Sequence, residues 1–304
     1  MAASKNRPLK RYVIRPFLSI IGGKRWAHRQ DWWPGLSLQL PVAESLGQVS
    51  YRKRKVCDLL PISRLSSGVN EITIVGSGPS IKGQRFSDIP ARSTILLNGA
   101  IQLLNGPISE PMAILVEDER FIWRHFALMV RQIRAGTPCL FSTSALRAIC
   151  EIDMAWLRVP RLHHIDFLEK PYGAPRRTRR EVRDLPFVRS STTSPAAISL
   201  DPTKGVTSGG SVATTAIQVG LWLKPKKIGL AGIDLSNANE PRFYETPGDT
   251  AKSRILHAQD RIEAVFELAF NQCREKNIEL VNYSPTSALS NLGVPYGNRL
   301  SGGH

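Results

Sequence analysis

Short apolar runs bounded by turn residues recur between residues 71 and 283. EITIVG (71–76), STILLN (93–98), MAILV (112–116), PCLF (138–141), KKIGLAGI (226–233) and IELVNY (278–283) each have the length of a buried strand. Between them lie stretches with helical character at 121–134, 210–223 and 253–276. The last carries Ile255, Ile262, Val265, Phe266, Phe270 and Cys273 as its apolar positions. Apolar strands alternating with helices predict an α/β fold, a mostly parallel sheet with helices on both faces. Such folds bind ligands outside the carboxyl ends of their strands, so strand ends are where chemistry is sought.

Two stretches break this rhythm. Residues 163–204 are rich in Arg, Pro and Ser and read as a lid or insertion. Arg176, Arg177, Arg179 and Arg180 there are placed to meet phosphate or to form a solvated charged face. Residues 1–68 read as a basic N-terminal extension, ahead of a main domain over 69–296 and a short tail at 297–304. The first 55 residues hold twelve Lys and Arg against Asp31 and Glu44, together with Trp26, Trp32 and Trp33. Basic residues interleaved with bulky apolar ones, as in RYVIRPFLSIIG, suit either a lipid headgroup layer or an arm packed on the domain.

Composition narrows the classes. Of the 304 residues, 42% are hydrophobic and 22% charged, which is globular, and the net charge of +16 favours anionic partners. Cys57, Cys139, Cys150 and Cys273 form no CxxC pair and fit no zinc-site spacing, and the six histidines include no HExxH, so a metalloprotease is disfavoured. No apolar run reaches the ~18 residues of a membrane span, and no secretory signal is visible at the N-terminus. A cytoplasmic protein, with peripheral contact at the inner membrane face, is the expectation.

Six motifs carry candidate chemistry. Gly76, Ser77, Gly78, Pro79 and Ser80 follow the first strand, where glycines let backbone approach a ligand and N–H groups face phosphate. Ile81 replaces the third glycine of a dinucleotide fingerprint, and no Walker lysine follows. Asn98 ends the second strand, either as a ribose or base contact or as an Asn-Gly turn. Glu117 and Asp118 end the third, as sugar or metal ligands or as a helix cap. Thr207, Ser208, Gly209 and Gly210 open a helix and suit a phosphate or carboxylate. Asp234 ends the following strand as a hydrogen-bonding support, with Tyr244 beyond it as a phenol donor. His257 stands three residues before Asp260, a base and the acid that would orient it.

Taken in order, IVGSGPSIKG, LLNGA, GVTSGGSVATTAIQVGLWLKPKKIGLAGIDLS, a His-bearing helix and IELVNYSPTSALSNL resemble the bacterial sialyltransferases of glycosyltransferase family forty-two. They are equally similar to a broader bacterial group built on the same nucleotide-binding core. The resemblance covers roughly residues 71–295 in dispersed blocks. It implies a Rossmann-like domain with a lid, a CMP-activated sugar as donor, and neither cofactor nor metal. It further implies that Gly76, Ser77 and Gly78 line the nucleotide and that Asn98 contacts nucleotide or sugar. Thr207, Ser208 and Gly209 would meet the donor carboxylate, Tyr244 would serve the departing phosphate, and His257 would be the base. Ser236 stands where the family has a second tyrosine, and Gly205 where it has a basic residue.

The resulting expectation is an enzyme, an inverting, metal-independent glycosyltransferase. Its donor is a CMP-linked keto acid such as sialic acid or Kdo, and its acceptor a surface glycan such as lipopolysaccharide or capsule. Two alternatives stay open. One is a magnesium-dependent pyrophosphokinase using Glu117 and Asp118. The other is a non-enzymatic basic module on anionic lipid or, less suitably, nucleic acid. Homo-oligomerisation is open as well.

Overall fold

The computed structural model describes residues 8, 10–29, 35–65, 68–235, 242–243 and 258–302. The chain opens with helix α1 (Lys10–Trp26), then strands β1 (Leu36–Gln39), β2 (Gly47–Tyr51) and β3 (Arg54–Leu59). Strands β4 (Glu71–Val75), β5 (Thr94–Leu97) and β6 (Ala113–Val116) follow. Next come α2 (Glu119–Gln132), β7 (Pro138–Ser142), α3 (Thr143–Asp153) and β8 (Arg161–Ile165). After α4 (Arg179–Arg183), β9 (Val188–Ser190) and β10 (Ala197–Ser199) come α5 (Val212–Leu223), β11 (Lys227–Ala231), α6 (Gln259–Glu275) and β12 (Glu279–Asn282).

Strands β12, β11, β4, β5 and β6 are hydrogen-bonded in that order and β7 pairs with β8, and the pairs β12–β11, β11–β4, β4–β5, β5–β6 and β7–β8 are all parallel. The fold is α/β, as the pattern predicted. Strands β5 and β6 are buried at every position, which is why they read as continuous apolar runs.

The chain divides into two compact units, one of residues 1–65, 116–185 and 202–206, the other of 66–115, 186–201 and 207–304. In the first, β1, β2 and β3 form an antiparallel sheet in register Leu36↔Tyr51 and Gly47↔Leu59. This sheet lies wholly inside the segment read as the 1–68 extension. Strand β8 holds His163, His164 and Ile165 in the interior, so the stretch read as an insertion from 163 opens inside the sheet. Helix α2 is capped by Asp118, whose side chain accepts from Arg120 N–H, and α3 by Ser142. Between them the fully buried Arg147 is bracketed by Glu119 and Glu151.

In the second unit α5 packs on β4 and β5, and α6 packs on β12. Helix α5 is buried from Ala213 through Leu221, including the polar Gln218. Gln218 Oε1 accepts from Ser199 N at 2.8 Å and Thr207 N at 3.0 Å, while its amide donates to the carbonyls of Thr207 and Thr214. The helix begins at Val212 rather than at Gly210, because Ser211 is its cap and Gly210 is left-handed at φ +98°. The helix predicted over 253–276 is observed from Gln259; residues 253–257 lie outside the described residues.

Candidate active site

In the second unit the candidate residues gather at the carboxyl ends of β4, β5 and β11. Gly76 N donates to Ala231 O at 2.7 Å, and Gly78 N to Gly232 O at 2.9 Å. A Cβ on Gly76 would lie 2.3 Å from Gly232 O, and one on Gly78 the same distance from Asp234 Oδ2. The glycines are therefore required by the approach of the loop after β11, and their N–H groups, expected to face phosphate, are taken up inside the protein.

Ser80 completes this contact. Its N–H donates to Asp234 Oδ2 at 2.8 Å and its hydroxyl to Asp234 Oδ1 at 2.7 Å. The same hydroxyl lies 3.0 Å from Ser284 Oγ, beyond β12. Asp234 is 7% exposed, so the carboxylate is a buried clasp tying the ends of β4, β11 and β12. The supporting role read for Asp234 has this geometry. Ser284 was not singled out from the sequence, since nothing local marks it.

Asn98, one strand over, has φ +47°, a left-handed conformation that Asn tolerates better than most residues. Its Oδ1 is buried and meets no hydrogen-bond partner among the described residues. A buried carbonyl in that state costs about 1–3 kcal/mol unless a donor arrives.

The helix-opening segment is placed less uniformly. Thr207 is buried, and its hydroxyl donates to Ala197 O at 2.5 Å, turned away from any ligand. Ser208 is exposed. Gly209 sits where a Cβ would strike Thr214, and Gly210 lies under Arg261, whose Nε donates to Gly209 O at 3.3 Å. Helix α5 ends just before the parallel strand β11, so it runs antiparallel to that strand and its N-terminus is at the carboxyl edge. Asp260 is exposed in the first turn of α6. Tyr244, Ser236 and His257 lie outside the described residues.

The first unit holds a second group that the sequence reading did not assemble. Ser142, Thr143 and Ser144, at the junction of β7 and α3, line a cavity of about 120 Å³ with Asp166, Tyr172 and His28. Thr143 Oγ1 lies 2.8 Å from His164 Nε2, and burial pushes that imidazole down to about 4, leaving it neutral at pH 7. Asp166 accepts from Tyr172 N at 2.8 Å and Phe167 N at 3.0 Å. Burial lifts its carboxyl to about 6 against those two donors and Arg177. The available signal was HHID at a strand end, masked by its place in an Arg- and Pro-rich stretch.

The pair Glu117–Asp118 does not make an open acidic site. Asp118 caps α2 and accepts from Arg120 Nε at 2.7 Å, while the Glu117 carbonyl takes the hydroxyls of Ser142 and Ser144. Among the described residues no group of three or more His, Cys, Asp or Glu could hold a metal ion.

No protein-family model and no curated protein matches the chain. Solved structures to which it is similar include the sialyltransferase CstII from Campylobacter jejuni with the substrate analogue CMP-3FNeuAc. That pair is 12% identical, with 78% of this chain and 90% of that chain covered and a TM-score of 0.41. The monofunctional α-2,3-sialyltransferase Cst-I from the same organism is 14% identical over 79% of this chain and 84% of its own, at a TM-score of 0.43.

Proposed function

We propose that the chain is an inverting, metal-independent glycosyltransferase that transfers a CMP-activated keto-acid sugar, sialic acid or Kdo-like, to a surface glycan such as lipopolysaccharide or capsule. The observation that carries the reading is Asn98. Its buried, unpartnered Oδ1 stands at a strand end beside the clasped 76–80 loop, where an incoming amino or hydroxyl donor would satisfy it. The order of the sequence blocks supplies the donor class.

In this mechanism the donor lies along the carboxyl edge, with Asn98 reading the nucleotide or sugar. Its carboxylate faces the N-terminus of α5 at Ser208–Gly210. His257, oriented by Asp260, takes the acceptor proton as the acceptor oxygen attacks the anomeric carbon. The bond to CMP breaks, and Tyr244 donates to the departing phosphate. The pyrophosphokinase alternative loses ground because Asp118 is occupied as a cap and by Arg120.

The direct test is a thermal-shift screen with CMP, CDP, UDP, GDP, AMP and ATP, with and without magnesium. The expected result is a magnesium-independent shift with CMP, reaching about 2.7 kcal/mol at a hundredfold excess over the dissociation constant and much reduced in Asn98→Ala. A shift confined to ATP with magnesium would replace the proposal by the kinase, and no shift with any nucleotide would end it. With a donor in hand, His257→Ala is expected to lower turnover by about 10²–10⁴. Near-normal turnover would remove the base assignment.

A further inference from the structure

Helix α1 leaves two large apolar side chains in water, Phe17 at 58% and Ile20 at 82% exposure. Three residues apart, they share a helix face. The helix contains Pro16, has Gly23 at φ +69° and carries Lys24 and Arg25 in its last turn. Among the described residues no helix is long and apolar enough to cross a membrane.

The basic end of α1 is fastened to a second basic segment about 150 residues away. Arg176 N donates to Arg25 O at 2.9 Å, and Arg25 Nη2 donates to Glu181 Oε1 at 3.1 Å. The Arg25 guanidinium also reaches Arg176 O at 3.3 Å, and His28 Nε2 lies 2.9 Å from Pro171 O. Residues 176–183 hold five arginines and one acid. That acid, Glu181, is engaged by Arg25 and by the capping box of α4, and Arg179, Arg180 and Arg183 are exposed, Arg180 at 3.9 Å from Asp184 in an ion pair open to solvent, so the segment's surface is cationic in balance.

We propose that α1 and α4 together dock the chain on an anionic lipid bilayer, with Phe17 and Ile20 entering the acyl boundary and Lys24 and the α4 arginines meeting the headgroups. Aromatic and aliphatic side chains bordered by cations match that boundary. A nucleic-acid backbone matches the cations alone and gives Phe17 and Ile20 nothing to enter. The proposal stands independently of the glycosyltransferase reading.

The test is sedimentation of the full chain with phosphatidylcholine vesicles and with vesicles containing about one-third phosphatidylglycerol. Binding is expected only to the anionic vesicles and is expected to weaken as salt rises. Phe17→Glu with Ile20→Glu is expected to cut the bound fraction about tenfold without moving the melting midpoint, since both side chains are exposed. Arg179→Glu with Arg180→Glu is expected to act in the same direction. Equal binding to neutral vesicles, no pelleting with either, or undiminished binding by the Phe17/Ile20 variant would overturn the proposal. So would displacement by duplex DNA of a Phe17/Ile20 variant that still binds as wild type does.

Discussion

Two aspartates follow parallel strands and do the same elementary thing with opposite reach. Asp234, after β11, accepts from the backbone and hydroxyl of Ser80, 154 positions away. Asp166, after β8, accepts from Phe167 and Tyr172, one and six positions away. The distant clasp fixes three strand ends against one another and forces glycine at 76 and 78. The local one folds a single turn, and its carboxyl sits at about 6 because nearby donors only partly offset burial. Sequence separation thus divides the roles: one carboxylate builds the floor of the candidate site, the other titrates beside a cavity.

The largest expected effect falls on the distant clasp. Asp234→Ala takes the acceptor from the Ser80 N–H and leaves its hydroxyl with Ser284 alone, and is expected to cost about 3 kcal/mol in urea unfolding, with Gly78→Ala similarly damaging. A loss under about 1 kcal/mol in both would show that the clasp is ornamental. In the first unit, burial lowers His163 and His164 to about 4. Both bind protons more tightly when unfolded, so the stability they hold above their ordinary value is expected to drain away between about pH 6.5 and 4, roughly 3 kcal/mol for each. Asp166 acts with the opposite sign, since its carboxyl is raised on folding. Its contribution is full below about pH 4 and is lost as pH rises through about 6. Wild type is therefore expected to lose about 2 kcal/mol relative to Asp166→Asn between pH 4 and 7, and parallel profiles would break the contrast. The smallest effect is Tyr172→Phe. Tyr172 OH accepts from Leu38 N at 2.8 Å, so about 1 kcal/mol is expected from thermal denaturation.

What could be read from the chain follows the same division. Strands β4 to β7, β11 and β12 were legible because both faces are buried and their runs are unbroken. Helices α2, α5 and α6 were legible from their length between strands. Strand β8 was not, since RLHHI places two imidazoles where aliphatic side chains would announce a strand. The β1–β3 sheet was hidden by its basic residues and by runs alternating over only four to six positions. At the candidate site the glycine loop, Asn98 and Asp234 were visible as types, but the cause of the glycines was not. It depends on Gly232 and Asp234 arriving from another strand. Thr207 shows the converse: its hydroxyl looked available until the buried Gln218 and the β10 carbonyl of Ala197 drew the residue inward.

The Ser80–Asp234–Ser284 clasp also bears on how the chain is made. Ser80 and Ser284 are 204 positions apart. At about 5–20 residues per second, roughly 10–40 s of synthesis separate the appearance of the first from the last. For the first 154 of those 204 positions the glycine loop after β4 lacks the Asp234 carboxylate, and β12 is completed only just before Ser284. The candidate edge is therefore without its third member until residue 284 is made, and a nascent chain stalled before that residue has no completed clasp.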